Sequence, residues 1–155
     1  MGKALRERIK QYKFESPLQE ALLNLMVAAD SINYQTEKVC ARFGITPPLY
    51  NVLRILRGVH PEGHPRCEIS QRMVERAPDV TRLIDKLEQQ GLVERNREGE
   101  DKRMSISRIT DRGLKLLQKM QPEIQRIHEG LMRRLTDSEC DQLSTLLEKL
   151  YVTEF

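Results

Sequence analysis

Apolar residues recur at helical spacing through most of the chain. Leu18, Leu22, Leu25, Ala29, Ile32, Thr36 and Val39 repeat at three- and four-residue steps, which predicts one long amphipathic helix with a stripe along its whole length. Ser16-Pro17-Leu18-Gln19 supplies its start: Ser16 as cap, Pro17 at the first helical position and Gln19 completing a capping box. Gly44 ends it. Thr46-Pro47-Pro48 opens a second helix that carries Leu49, Val52, Leu53 and Leu56 inward as far as Gly58. The stretch His60-Pro61-Glu62-Gly63-His64-Pro65 is a turn-rich loop. Beyond it, Glu68 to Glu75 reads as a short helix with Ile69 and Met73 inward, broken at Ala77-Pro78. Pro78 sits where a new helix can begin, and Val80, Leu83, Ile84 and Leu87 follow the i, i+3, i+4, i+7 pattern up to Gly91. Two short helices joined by a tight break predict a helix-turn-helix.

The period then changes. Leu92 to Arg97 and Met104 to Ile109 are short, partly alternating runs separated by the polar, glycine-containing Glu98-Gly99-Glu100-Asp101-Lys102-Arg103, which predicts a β-hairpin with a charged tip. Thr110 caps a further helix bearing Leu114, Leu117, Met120, Ile124 and Ile127, in which Pro122 is expected to introduce a bend. Thr136-Asp137-Ser138-Glu139 is a capping box for a last helix with Leu143, Leu146, Leu147, Leu150 and Tyr151 on one side. The stripes on the first and last helices exceed what a small central lobe can cover, so they are expected to pack against a second copy in a two-fold dimer; packing within one chain is the alternative.

Composition narrows the function classes. A chain of 155 residues suits one compact domain. No stretch approaches the roughly 18 uninterrupted apolar residues of a membrane span, and Met1 to Arg8 lacks the apolar core of a secretory signal. A soluble protein in the cytoplasm is expected. Cys40, Cys67 and Cys140 form neither an even framework nor a CxxC pair and read as thiols in a reducing compartment. The net charge is +3, and Lys3, Arg6, Arg8, Lys10 and Lys13 against Glu7 place +4 in an N-terminal arm, leaving −1 for the rest. That arm reads as a solvated tail able to touch phosphates.

Asp79-Val80-Thr81-Arg82-Leu83-Ile84-Asp85-Lys86-Leu87-Glu88, followed by Gly91-Leu92-Val93-Glu94-Arg95, then Asp101-Lys102-Arg103 and Ile109-Thr110-Asp111-Arg112-Gly113, resembles the multiple-antibiotic-resistance regulator (MarR) family of winged-helix repressors. The helix-turn-helix alone is weakly diagnostic, whereas its combination with this wing and Gly113 is specific. The resemblance covers nearly the whole chain. It implies a mainly α fold with a small β-hairpin wing: a single domain over 1–155, with the winged helix-turn-helix lobe at about 47–110 and dimerisation helices at about 16–44 and 111–152. It implies a homodimer on double-stranded operator DNA, with no cofactor and no membrane, released by a small-molecule effector.

The residues make a matching demand. With Val80, Leu83, Ile84 and Leu87 buried, the helical period turns Thr81, Arg82, Asp85, Lys86 and Gln89 toward solvent. Arg82 can pair with guanine or grip a phosphate, Thr81 can meet a phosphate or a thymine methyl, and Lys86 suits the backbone. Asp79, near the helix start, suits the helix dipole or accepts from cytosine, yet repels a nearby phosphate. In the wing, the resemblance makes Arg103 the residue that enters a narrow minor groove, Asp101 its orienting partner, and Arg97 and Lys102 contacts to flanking phosphates. One feature opposes DNA binding: from Arg66 to Arg103 nine basic residues face nine acidic ones, so net charge lends the lobe no support.

An effector lodged between the long helices and the lobe would meet Met26, Ile32, Leu49, Val52 and Leu56, each of which also reads as core. Two sensing alternatives stay open. His60, His64 and Cys67 have a conceivable zinc spacing with Glu62 as oxygen donor, and Cys40 lies near the end of the first helix, away from the start of that helix where oxidation-sensing relatives carry their reactive cysteine. A winged-helix module that binds protein instead of DNA is the rival from another class. No nucleophile beside a base, paired carboxylates or phosphate-cradling glycine loop is readable, so no enzyme is expected.

Overall fold

The computed structural model describes residues 3–75, 79–96 and 105–152. The elements run α1 (Lys3–Ile9), α2 (Pro17–Arg42), α3 (Pro47–Gly58), β1 (His64–Pro65), α4 (Arg66–Arg72), α5 (Val80–Gln89), β2 (Val93–Asn96), β3 (Ile106–Ile109), α6 (Asp111–Met132) and α7 (Asp137–Tyr151). The fold is mainly helical with one small antiparallel sheet. Local signals place most boundaries. Ser16 accepts from the Gln19 backbone N–H at 3.1 Å, while the Gln19 side chain takes the Glu15 N–H at 2.7 Å, one residue before the expected partner. Thr110 caps α6 through the Gly113 N–H, and Thr136 and Glu139 form the complete reciprocal box on α7. Pro122 lies inside α6 without ending it.

Three features depart from expectation. The basic arm is not a solvated tail: Lys3–Ile9 forms α1, Leu5 is buried, and Arg8 pairs with Asp30 of α2 at 3.2 Å. The loop before α4 contributes a strand, so the sheet has three strands in the order β1-β3-β2. His64 and Pro65 pair with Ser107 and Ile106, and β2 pairs with β3 from Val93↔Ile109 to Asn96↔Ile106. A two-residue strand carries no periodicity to detect. What admits it is Gly63, at φ +79 with an added Cβ only 2.3 Å from the Ser107 carbonyl oxygen, an approach open to glycine alone. Finally, α4 begins at Arg66 and gives way to extended backbone at Met73, ahead of the expected Glu75. The Ala77-Pro78 break and the hairpin tip fall outside the described residues.

The core joins both parts of the chain. Leu49, Val52, Leu53 and Leu56 of α3, Ile69 of α4, Ile84 and Leu87 of α5, Val93 of β2, and Leu117 and Met120 of α6 form one buried cluster. Burying each such side chain is worth about 1.5–3 kcal/mol, so this cluster fixes the lobe as a unit. Val39 and Cys40 tie the end of α2 into it, and Arg42 pairs with Glu123 on α6. The first part of the α2 stripe lies open: Leu18, Leu22, Leu25, Ala29 and Ile32 are exposed, as is the neighbouring Met26. No residue of α7 is buried.

Candidate nucleic-acid interface

The surface of α5 follows from its buried side. Val80, Ile84 and Leu87 face the core, and Arg82, Lys86 and Gln89 are exposed while Thr81 and Asp85 are half-buried. Asp79 stands at the N-cap, where its carboxylate accepts from the Arg82 backbone N–H at 3.0 Å. It therefore serves the helix terminus directly. The Thr81 hydroxyl accepts from Arg66 Nη1 at 3.2 Å. Arg66, the first residue of α4, thus brings its guanidinium onto α5 at Thr81, a neighbour that linear spacing does not reveal. Arg95 of β2 pairs with Asp85 and approaches Glu88 at 3.3 Å through Nε, with its own side chain 14% exposed. Arg97, Asp101, Lys102 and Arg103 all lie outside the described residues.

Beneath the start of α5 a cavity of about 490 Å³ opens between α2, α3, α5 and α6. Its apolar wall includes Pro47, Met73, Leu83 and Ile124, and its polar groups include Asn33, Asn51, Arg54, Arg82 and His128 together with the carboxylates of Glu75 and Asp79. The expected effector residues do not line it. Leu49, Val52 and Leu56 are core, while Met26 and Ile32 are exposed on α2. The reason is the helical period: α3 turns Leu49, Val52 and Leu56 inward and presents Tyr50, Asn51 and Arg54 on its flank. Burial pushes the Tyr50 hydroxyl up from its ordinary value, and the charges of Arg54 and Arg57 oppose that shift. The Arg54 guanidinium stands over the Tyr50 ring, 5.9 Å from its centroid. Asn51 accepts from the Val74 N–H at 2.9 Å and so fixes the chain that leaves α4 beside the cavity.

The sensing alternatives gain little. Cys40 is buried and its thiol is pushed up to about 11 by that burial, the wrong direction for a reactive thiolate. His64 belongs to β1 and Cys67 to α4, and among the described residues no group of three His, Cys, Asp or Glu side chains is placed to hold a metal ion.

The fold has counterparts among known proteins. The model of the MarR family matches residues 45–105. A MarR transcription factor from Planctomyces limnophilus is 39% identical, with a TM-score of 0.68 over 88% of this chain and 98% of that one. The chain belongs to the MarR family of transcriptional regulators. Its members are regulators and not enzymes. Two more distant structures share the MarR fold. The transcriptional repressor CouR bound to a 23-mer DNA duplex is 24% identical, with a TM-score of 0.74 over 90% of this chain and 99% of that one. CouR from Rhodococcus jostii RHA1 bound to p-coumaroyl-CoA is 19% identical, with a TM-score of 0.76 over 92% and 99%. Among the described residues no helix is long and apolar enough to cross a membrane.

Proposed function

We propose that two copies of this chain, paired through the open stripes of α2 and α7, act in the cytoplasm as a repressor that sets one α5 in each of two successive major grooves of an operator. The half-sites then lie about 10 bp apart, as a two-fold axis and the pitch of B-DNA require. Arg82 and Lys86 contact bases and phosphates, Thr81 contacts a phosphate or a thymine methyl, and Asp79 sets the helix end that approaches the backbone. In the wing, Arg103 enters the minor groove, Asp101 orients it, and Arg97 and Lys102 hold flanking phosphates. The lobe is residues 47–110, and the helices at 16–44 and 111–152 set the separation of the two lobes. The DNA-bound CouR structure supports this reading through its shared fold.

The observation that carries the reading is the exposed cationic stripe of Arg82 and Lys86 on a helix whose opposite side is locked into the core. Arg82 also lines the cavity. An effector with an apolar body and an anionic group fits that cavity, its body against Leu83 and Ile124 and its anion within reach of the arginines. Occupancy draws Arg82 away from DNA and shifts the lobes, releasing the duplex in proportion to the effector's preference for the released state. The structure of a relative bound to p-coumaroyl-CoA supports ligand control on this fold.

The test is binding of random-sequence duplex DNA across a salt series. Wild type is expected to lose affinity steeply with salt, and Arg82→Ala and Arg103→Ala each to bind about tenfold weaker. No duplex binding at any salt concentration, from a folded dimer, favours instead a winged-helix module that binds protein.

A further inference from the structure

The segment of the lobe from Arg66 to Arg103, which carries the reading helix toward a polyanion, is electrically neutral by count, with nine basic and nine acidic residues. How it presents a cationic surface is a matter of where each charge is held. Three acids fall on or at the end of α5. Asp79 is engaged at the N-cap. Asp85 and Glu88, three residues apart, lie on one flank of the helix and are both less exposed than Arg82, Lys86 and Gln89.

That flank faces β2. Val93 is buried, and strand alternation sends the side chain of Arg95, two residues on, to the same side of the sheet. Register fixes it there: Arg95 lies opposite Ser107, a buried residue of β3. From this position its guanidinium pairs with Asp85 and reaches Glu88 at 3.3 Å. One guanidinium thus faces two carboxylates, donating a hydrogen bond to Asp85 and standing within ion-pair reach of Glu88. We propose that Arg95 is a positioning residue for DNA binding, which holds the carboxylates of Asp85 and Glu88 against the root of the hairpin so that α5 offers the duplex only Arg82, Lys86 and neutral side chains. The proposal rests on the DNA-binding reading above.

The physical requirement is simple. A carboxylate left free on the helix repels phosphates at short range, and like-charge juxtaposition at an interface is costly. Arg95, largely covered, acts on the duplex through the acids it occupies.

The experiment uses the full chain and random-sequence duplex DNA, followed by fluorescence anisotropy at several salt concentrations. Arg95→Ala is expected to bind about tenfold weaker, because two carboxylates are released toward the phosphates. Adding Asp85→Asn and Glu88→Gln to Arg95→Ala should restore affinity to within about threefold of wild type, because nothing is left to sequester. The Asp85→Asn/Glu88→Gln pair in an otherwise wild-type chain should bind at least as tightly as wild type. A triple variant as weak as Arg95→Ala overturns the proposal, since a brace or a direct phosphate contact would not be rescued by neutral partners. If Arg95→Ala does not fold, the Asp85→Asn/Glu88→Gln pair decides alone: weaker binding by that variant overturns the proposal, and equal or tighter binding supports it. Wild type that binds no duplex at any salt concentration overturns the DNA reading itself, and this inference with it, before any variant is compared.

Discussion

Helix α5 buries Val80, Ile84 and Leu87 in the lobe core, whereas α7 buries no residue and leaves Leu143, Leu146 and Leu150 exposed at 45, 60 and 50%. Both helices are amphipathic and both have well-formed N-caps, so local pattern does not separate them. What separates them is the availability of a partner surface within the chain. The lobe closes through α3, α4 and the sheet and packs against α6 of the same chain. The end of the chain and the first half of α2 carry apolar stripes that their own lobe does not reach. One region is a folded core and the other an uncovered apolar surface, which is the reason for proposing that a second copy packs on α2 and α7.

The sharpest way to break that contrast is to truncate a leucine in each region. Leu53→Ala removes a fully buried side chain and is expected to cost about 3 kcal/mol in urea unfolding, by the same amount at every protein concentration. Leu146→Ala should instead lower stability only through association, so its effect depends on protein concentration. Equal, concentration-independent losses would mean that α7 already packs within its own chain.

A smaller effect separates two glycines of α6. An added Cβ at Gly113 would sit 2.4 Å from the Leu92 carbonyl oxygen and 2.7 Å from Ile109 Cγ1, so Gly113→Ala is expected to destabilise by about 1–3 kcal/mol. At Gly130 no heavy atom lies within 4 Å, and Gly130→Ala should gain about 0.5–1 kcal/mol from helix propensity. Thermal melts of the two variants check both signs. A loss at Gly130 would place a partner surface directly against it.

The smallest effect is a pH dependence confined to α7. Backbone and side-chain hydrogen bonds with Thr136 hold the Glu139 carboxyl below its ordinary value. A carboxyl lowered in the folded state stabilises above its unfolded pKa, and the contribution disappears as pH falls through the folded value. Helical circular dichroism should therefore decline on acidification below the usual carboxylate range, and Glu139→Ala should remove that part of the decline. The lobe has no comparable contribution from this residue, so DNA-binding lobe variants should leave it unchanged.

Much of this arrangement was legible in the residues. The periods of α2, α3, α5, α6 and α7, the caps at Ser16, Thr110 and Thr136, and the two hairpin strands are all local signals, and Gly113 with the adjoining Thr110-Asp111-Arg112 marked the family. Asp79 was legible as a residue near the helix start but not as its cap. The cavity was not legible, because Leu49, Val52 and Leu56 satisfy the pattern of a lining residue and of a core residue equally well. Nor was the partnership of Arg66 with Thr81, 15 positions apart.

By itself the sequence determined that α2, α3, α5, α6 and α7 are helical, where their caps lie, and that Arg82 and Lys86 share an outward stripe, because those properties arise from interactions within a turn or two of backbone, whereas the helix α1 and the ends of α4 escaped it. Only the tertiary structure decided that β1 joins the sheet, that the flank of α3 and not its inner side faces the cavity, and that Arg95 pairs with Asp85 and reaches Glu88. Each of these depends on which elements meet in space, and charge, unlike periodicity, acquires its meaning from the neighbour it meets.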